Sequence, residues 1–347
     1  MVGNDVYLRL VQSTSSLELA LDAPVHFDLQ VDATYSITLK RSTTVPADVV
    51  FDIIGLFQAP DSVLAALEDH AIGIVPPGSV VQSSASNLTS PGRIKPNQSL
   101  FIREMPEETA TWLGERYSSM RTACETLANT FLWRFNIPTR AVSFYASNNW
   151  RWSRDEKDWF LAPGDIQLII GFSQQSAPLA NFEQPIQSLL SADRTEPLAN
   201  EILREAVAHT GDARSAIIVG VAAVETSIKN TIAALAPDTG WLLENLQSPD
   251  VDKLVWQFLV TLRANTPSCD PILPSPRLRK RLKLAVETRN KLVHGAKLRP
   301  EQRELQQQSK AAALMVDLAD IIRLMDMNVG HHWARAFLSA EAKQEIV

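Results

Sequence analysis

Near residue 180 the spacing of apolar side chains changes from a period of two to a period near 3.6, and nothing else in the chain constrains its fold as much. Before that point, Val25-His-Phe-Asp-Leu-Gln-Val and Tyr35-Ser-Ile-Thr-Leu-Lys alternate apolar and polar residues, as strands with one buried face do. Pro106-Glu-Glu-Thr opens a helix, with proline in its first turn and acids at its positive end. That helix continues through Trp112, Leu113, Met120, Leu127 and Phe131 and stops before Pro138. Ala141 to Ala146 and Trp159 to Phe172 read as further strands, and Asp69 to Gln98, rich in Gly, Pro, Ser and Asn, as short strands and loops. After the change, helices are expected at about 196–208, 211–236, 250–264, 277–294, 300–326 and 330–341. Three domains of organisation follow: a mixed α+β domain over 1–176, a linker over 177–194 marked by Pro178 and Pro185, and an all-α bundle over 195–347.

At 347 residues the chain is long enough for about two cores. Its 45% hydrophobic and 21% charged residues exclude a disordered or fibrous protein. Two cysteines, Cys124 and Cys269, are too few for a disulfide framework or a Cys-rich zinc site. The longest apolar run, Ala216 to Val224, falls short of the ~20 residues that span a bilayer. Met1-Val-Gly-Asn-Asp-Val has neither the basic start nor the apolar core of a signal peptide, so a cytoplasmic protein without membrane contact is expected.

The sequence holds no Walker loop, G-x-G-x-x-G, G-x-S-x-G or H-E-x-x-H, so no cofactor and no metal are expected. His331 and His332 are adjacent, which on a helix turns them about 100° apart and makes joint metal ligation poor. A solvent-exposed pair is the expectation. Trp150-Arg-Trp places two indoles on one strand face, a spacing that suits a base-stacking platform but also, and more simply, a packed hairpin core.

Charge is unevenly spread. From Arg277 to Lys310, eleven Lys or Arg stand against three acids, so this window carries +8 and the remaining chain −14 of the net −6. A positive island on an acidic protein is a candidate site for a phosphate backbone, or else a solvated helix face. Within it lies Arg289-Asn-Lys-Leu-Val-His294-Gly295. Arg204-Glu-Ala-Val-Ala-His209 has the same spacing, and helical geometry separates the two. Val286, Ala285, Leu292 and Val293 flank Arg289 at three and four residues, so its guanidinium interrupts an apolar stripe. Such a charge needs a partner, and a structural ion pair to Glu225 of the apolar 212–235 helix would supply one. Arg204 has Glu201, Asn200, Val207 and Ala208 about it, a half-polar face where an arginine needs no special account.

An arginine, a polar residue directly after it, and a histidine after four to six intervening residues resemble the motif of HEPN domains, all-helical domains found in RNases, toxins and antiviral effectors. The helix from Asp212-Ala-Arg-Ser-Ala to Ala-Val-Glu225 looks like an early core helix of that family, and the resemblance covers roughly residues 195–340. It implies a HEPN-like bundle that forms a homodimer and cleaves RNA without a metal, at a site built from both chains. His294, with an unperturbed pKa of about 6.5, would move protons at the ribose 2′-OH and the leaving 5′ oxygen. Arg289 would hold the phosphate, Asn290 would orient it, and Glu225 would support Arg289. Lys280, Arg281, Lys283 and Lys291 would position the RNA backbone. The N-terminal half would sense a ligand or protein, or restrain activity, as in a toxin or defence effector. Two other readings stand beside this one: a HEPN module that binds RNA or nucleotide and dimerises without cutting, and a helical scaffold in which the motif is coincidental.

Overall fold

The computed structural model describes residues 4–14, 17, 19–43, 48–74, 81–82, 99–100, 102–137, 144–164, 179–192, 194–239, 250–264 and 272–346. They pack as two units, residues 1–131 with 141–195, and residues 132–140 with 196–347. An antiparallel sheet therefore precedes a mostly helical region, the layout expected from the change of period.

In the first unit, β1 (Asp5–Thr14), β2 (Val25–Gln30), β3 (Thr34–Arg41), β4 (Val49–Gln58), β7 (Tyr145–Ser153) and β8 (Phe160–Leu161) form a sheet in the order β2-β3-β4-β1-β7-β8. A separate two-stranded pair joins β5 (Val81–Gln82) to β6 (Ser99–Leu100). The register sets Ile37 opposite Ile53 and Leu8 opposite Gly55 and Trp152, so one face gathers the apolar residues of four strands. β4 is almost continuously apolar, which hides it from a period-two reading, because it is a central strand buried along most of its length. α1 (Asp61–Ala71) follows β4, and α2 (Glu107–Arg134) buries Leu113, Met120, Leu127 and Phe131.

Residues 183–191 form α3 (Glu183–Ser191) inside the stretch that the prolines mark as a linker. Ile186 and Leu189 are buried, and Phe182 meets Phe131 at 5.4 Å between ring centres, so this segment is part of the first unit's core. Trp150 and Trp152 are likewise buried, against Tyr117 and Phe160, which makes them core residues and no stacking platform. The expected strand from 159 to 172 lies mostly outside the described residues.

The second unit holds α4 (Leu198–Ala208), α5 (Ala213–Leu235), α6 (residues 251–264), α7 (Pro276–Val293), α8 (Pro300–Glu304), α9 (Gln308–Asn328) and α10 (Ala340–Glu345). α5 is long and apolar enough to cross a membrane by length and composition, but 56% of its most apolar window is buried, as in a core helix. It packs on α9 so closely that a Cβ on Gly220 would meet Met315 Sδ at 2.9 Å and Leu318 Cδ1 at 3.0 Å. α6 contains a π-helical turn, Leu254–Leu259, which turns Leu254, Val255 and Leu259 into the core. The helix expected over 300–326 is two helices, broken where Leu305 drops into the core between α8 and α9. That expected over 330–341 is a 3-10 segment, His332–Phe337, and the start of α10. His331 is buried between the Trp133 and Trp333 rings while His332 is exposed, so the two are not an exposed pair.

Candidate functional site

Both ends of α7 are written in local sequence. Ser275 caps the start by accepting from the Leu278 N–H, and Pro276 occupies the first helical position, where a missing N–H costs nothing. At the other end Gly295 takes φ +65°, and the Ala296 N–H reaches back to the Lys291 carbonyl at 2.9 Å, a Schellman closure. Between them Leu278, Leu282, Ala285 and Thr288 make the buried face.

Arg289 sits at the edge of that face with 28% of its side chain exposed. Its Nη2 donates to Glu225 Oε2 on α5 at 3.0 Å, and Lys229 Nζ meets the other oxygen of Glu225 at 3.1 Å. Asn290 and His294 are exposed, about 100° and about 140° round the helix from Arg289. A cleft of about 460 Å³ opens between α5, the start of α6 and α7. Glu225, Lys283, Arg289 and Asn290 line it together, along with Asp250, Asp252 and Glu287. His294, Lys280, Arg281 and Lys291 lie outside that lining.

Much of the basic island is neutralised in space. The Arg279 fork holds both oxygens of Asp252 at 2.8 and 2.7 Å and lowers that carboxyl below its usual range, while its guanidinium covers the Trp256 ring. Arg281 turns to Asp317 of α9 at 2.8 Å, away from the lysines it was expected to join. Arg277 bonds Glu345 and Asp317, and Arg299 bonds Glu287. Lys280 and Lys283 point to solvent without an ion pair within 4 Å among the described residues.

The arginine that needed no account is the more deeply buried one. Arg204 is 8% exposed and pairs with Glu196, itself 5% exposed, and desolvation pulls its pKa down to about 10. The half-polar flanks misled because Arg204 is covered by Glu196, which precedes α4, and by the distant α9. Three residues that the sequence reading passed over, the buried Asp320 and Asp326 and the half-buried Arg323, also place ionisable side chains in this unit's interior. Their signal was present: Asp317, Asp320, Arg323 and Asp326 recur every third residue in an otherwise apolar helix. Comparison with protein-family models, curated proteins and solved structures finds no match.

Proposed function

We propose that the chain is a metal-independent endoribonuclease of the HEPN type, acting in the cytoplasm as a dimer whose second unit cuts RNA. The observation that carries this reading is the arrangement on α7. Arg289 is oriented by Glu225 at the edge of a charged cleft, while Asn290, His294 and Lys283 project to solvent within about three turns of the same helix. Arg289 and His294 diverge by about 140° on one helix, so a single chain does not focus both on one phosphate. Two copies of α7 related by a two-fold axis can supply the guanidinium from one chain and the imidazole from the other. His294 then accepts the 2′-OH proton or protonates the leaving oxygen, and Arg289 takes up the charge growing on the phosphate. Lys280, Lys283 and Lys291 hold the flanking backbone; Arg281, engaged with Asp317, contributes no phosphate contact unless that pair opens. In this reading the first unit senses or restrains, as suits a toxin or defence effector.

A second reading rests on the ion pairs. A helical binding or scaffold module would use Arg289–Glu225, Arg279–Asp252 and Arg281–Asp317 simply to clamp α7 to its neighbours.

Cleavage of labelled RNA in EDTA separates the two. The nuclease reading expects 2′,3′-cyclic phosphate ends with the wild type and a loss of ~10²-fold or more in His294→Ala. Equal cleavage by both proteins, or none by either the full chain or residues 195–347 freed of the first unit, removes it in favour of the module.

A further inference from the structure

A second cavity, of about 370 Å³, lies wholly within the helical unit, bounded by residues 132–137, α4 and α9. Most of its wall is apolar, built from residues such as Leu203, Val207, Met315 and Ala319. Two guanidiniums enter it against one carboxylate, Arg204 and Arg323 against Glu196. The Nε–H of Arg204 is sealed from solvent and has no hydrogen-bond acceptor among the described residues. Arg323 is 15% exposed; it donates to Asn136 Oδ1 at 2.7 Å and meets Asp320 at 3.3 Å, an oxygen that also accepts from the Ser339 N–H.

We propose that this cavity binds a small organic anion with an apolar body, its head group taken by Arg204 and Arg323 and its body by the apolar wall. Two guanidiniums line the cavity against the single Glu196 carboxylate, and the demand left unmet at the Arg204 Nε–H is for an acceptor. A carboxylate or phosphate matches the guanidinium fork and restores the hydration those groups lost on burial. Burial lowers both arginine pKa values, Arg204 to about 10. The nearby Asp326 is a weak competitor, since its carboxyl is pushed up to about 7. Asn136 and Asn200 at the wall supply further amide donors. None of this depends on the nuclease reading.

Calorimetric titration of the full chain with octanoate, octyl phosphate, 1-octanol and octylammonium tests the proposal. Octanoate or octyl phosphate should saturate a single site, and the tighter of the two identifies the head group. Octanol should bind about tenfold or more weaker, and octylammonium no better than octanol. Val316, 49% exposed, and the exposed Ala312 stand at the rim, so Val316→Trp or Ala312→Trp should abolish anion binding with thermal stability retained. Arg323→Gln should reduce the anion to the affinity of the alcohol. Octanol equal to the tighter of the two anions, octylammonium tighter than either, undiminished binding in both rim variants, or no saturable anion binding would each overturn it.

Discussion

Burial lifts the Asp326 carboxyl from its ordinary 3.8 to about 7, outweighing the hydrogen bond from Asn200 and the charge of Arg323. The native state therefore holds this proton more tightly than the unfolded chain does. Stability should fall as pH rises from about 4 to about 7 and level off above that. Asp326→Asn removes the group that ionises, so its advantage over wild type in chemical denaturation should be larger at pH 8 than at pH 5, by up to a few kcal/mol. An advantage independent of pH would contradict the assignment. At this scale the sequence was an uneven guide. The pairing of Arg289 with Glu225 was legible because four apolar flanks on α7 demanded a partner on another helix. The burial of Arg204 was not, because it depends on Glu196, which precedes the helix, and on α9, more than a hundred residues away. Local flanks report a helix's own face; they carry no information about what a distant segment lays over it.

Among the elements, α7 was read closely from sequence because both ends are set by residues with one conformational use, a Ser-Pro start and a Gly stop. α3 was missed because two buried positions, Ile186 and Leu189, are too few to establish a period. The break between α8 and α9 was missed because no Gly or Pro marks it; the chain bends to bury Leu305. The tightest helix contact is also set by a single residue. At Gly220 a larger side chain would collide with Met315 and Leu318, so Gly220→Val should cost about 1–3 kcal/mol, read as a lower denaturant midpoint with an unchanged slope. Met315→Ala in that background should restore part of the loss, because it vacates the nearest atoms. Full stability of the single variant would mean that α5 and α9 are further apart than described.

Across the whole molecule, net charge is a poor guide to where an anion can bind. Eleven cations within 34 residues suggest a strongly electrostatic surface, but Arg277, Arg279, Arg281, Arg289 and Arg299 each face a carboxylate. If RNA contacts only Lys280, Lys283 and Lys291 of each chain, the logarithm of its affinity should fall with the logarithm of salt at a slope of about −2 per chain. Eleven available cations would give about −8, and a slope near zero would exclude a phosphate-backbone contact altogether. The slope thus measures how many of the ion pairs survive binding, which neither composition nor a single conformation reveals.

The π-helical turn of α6 has a consequence for the cleft beside it. Such a turn accommodates one residue more than an α-helix of the same span, so it works as a phase shifter between the two ends of its helix. On the C-terminal side it keeps Leu259 in the core; on the N-terminal side it keeps Asp252 on Arg279. A chain shorter by one residue here would close into regular α-helix and rotate the leading end by about 100°, sending Asp252 away from α7. The count of residues between 252 and 259, rather than any side chain among them, is what couples the acidic lip of the cleft to the hydrophobic interior.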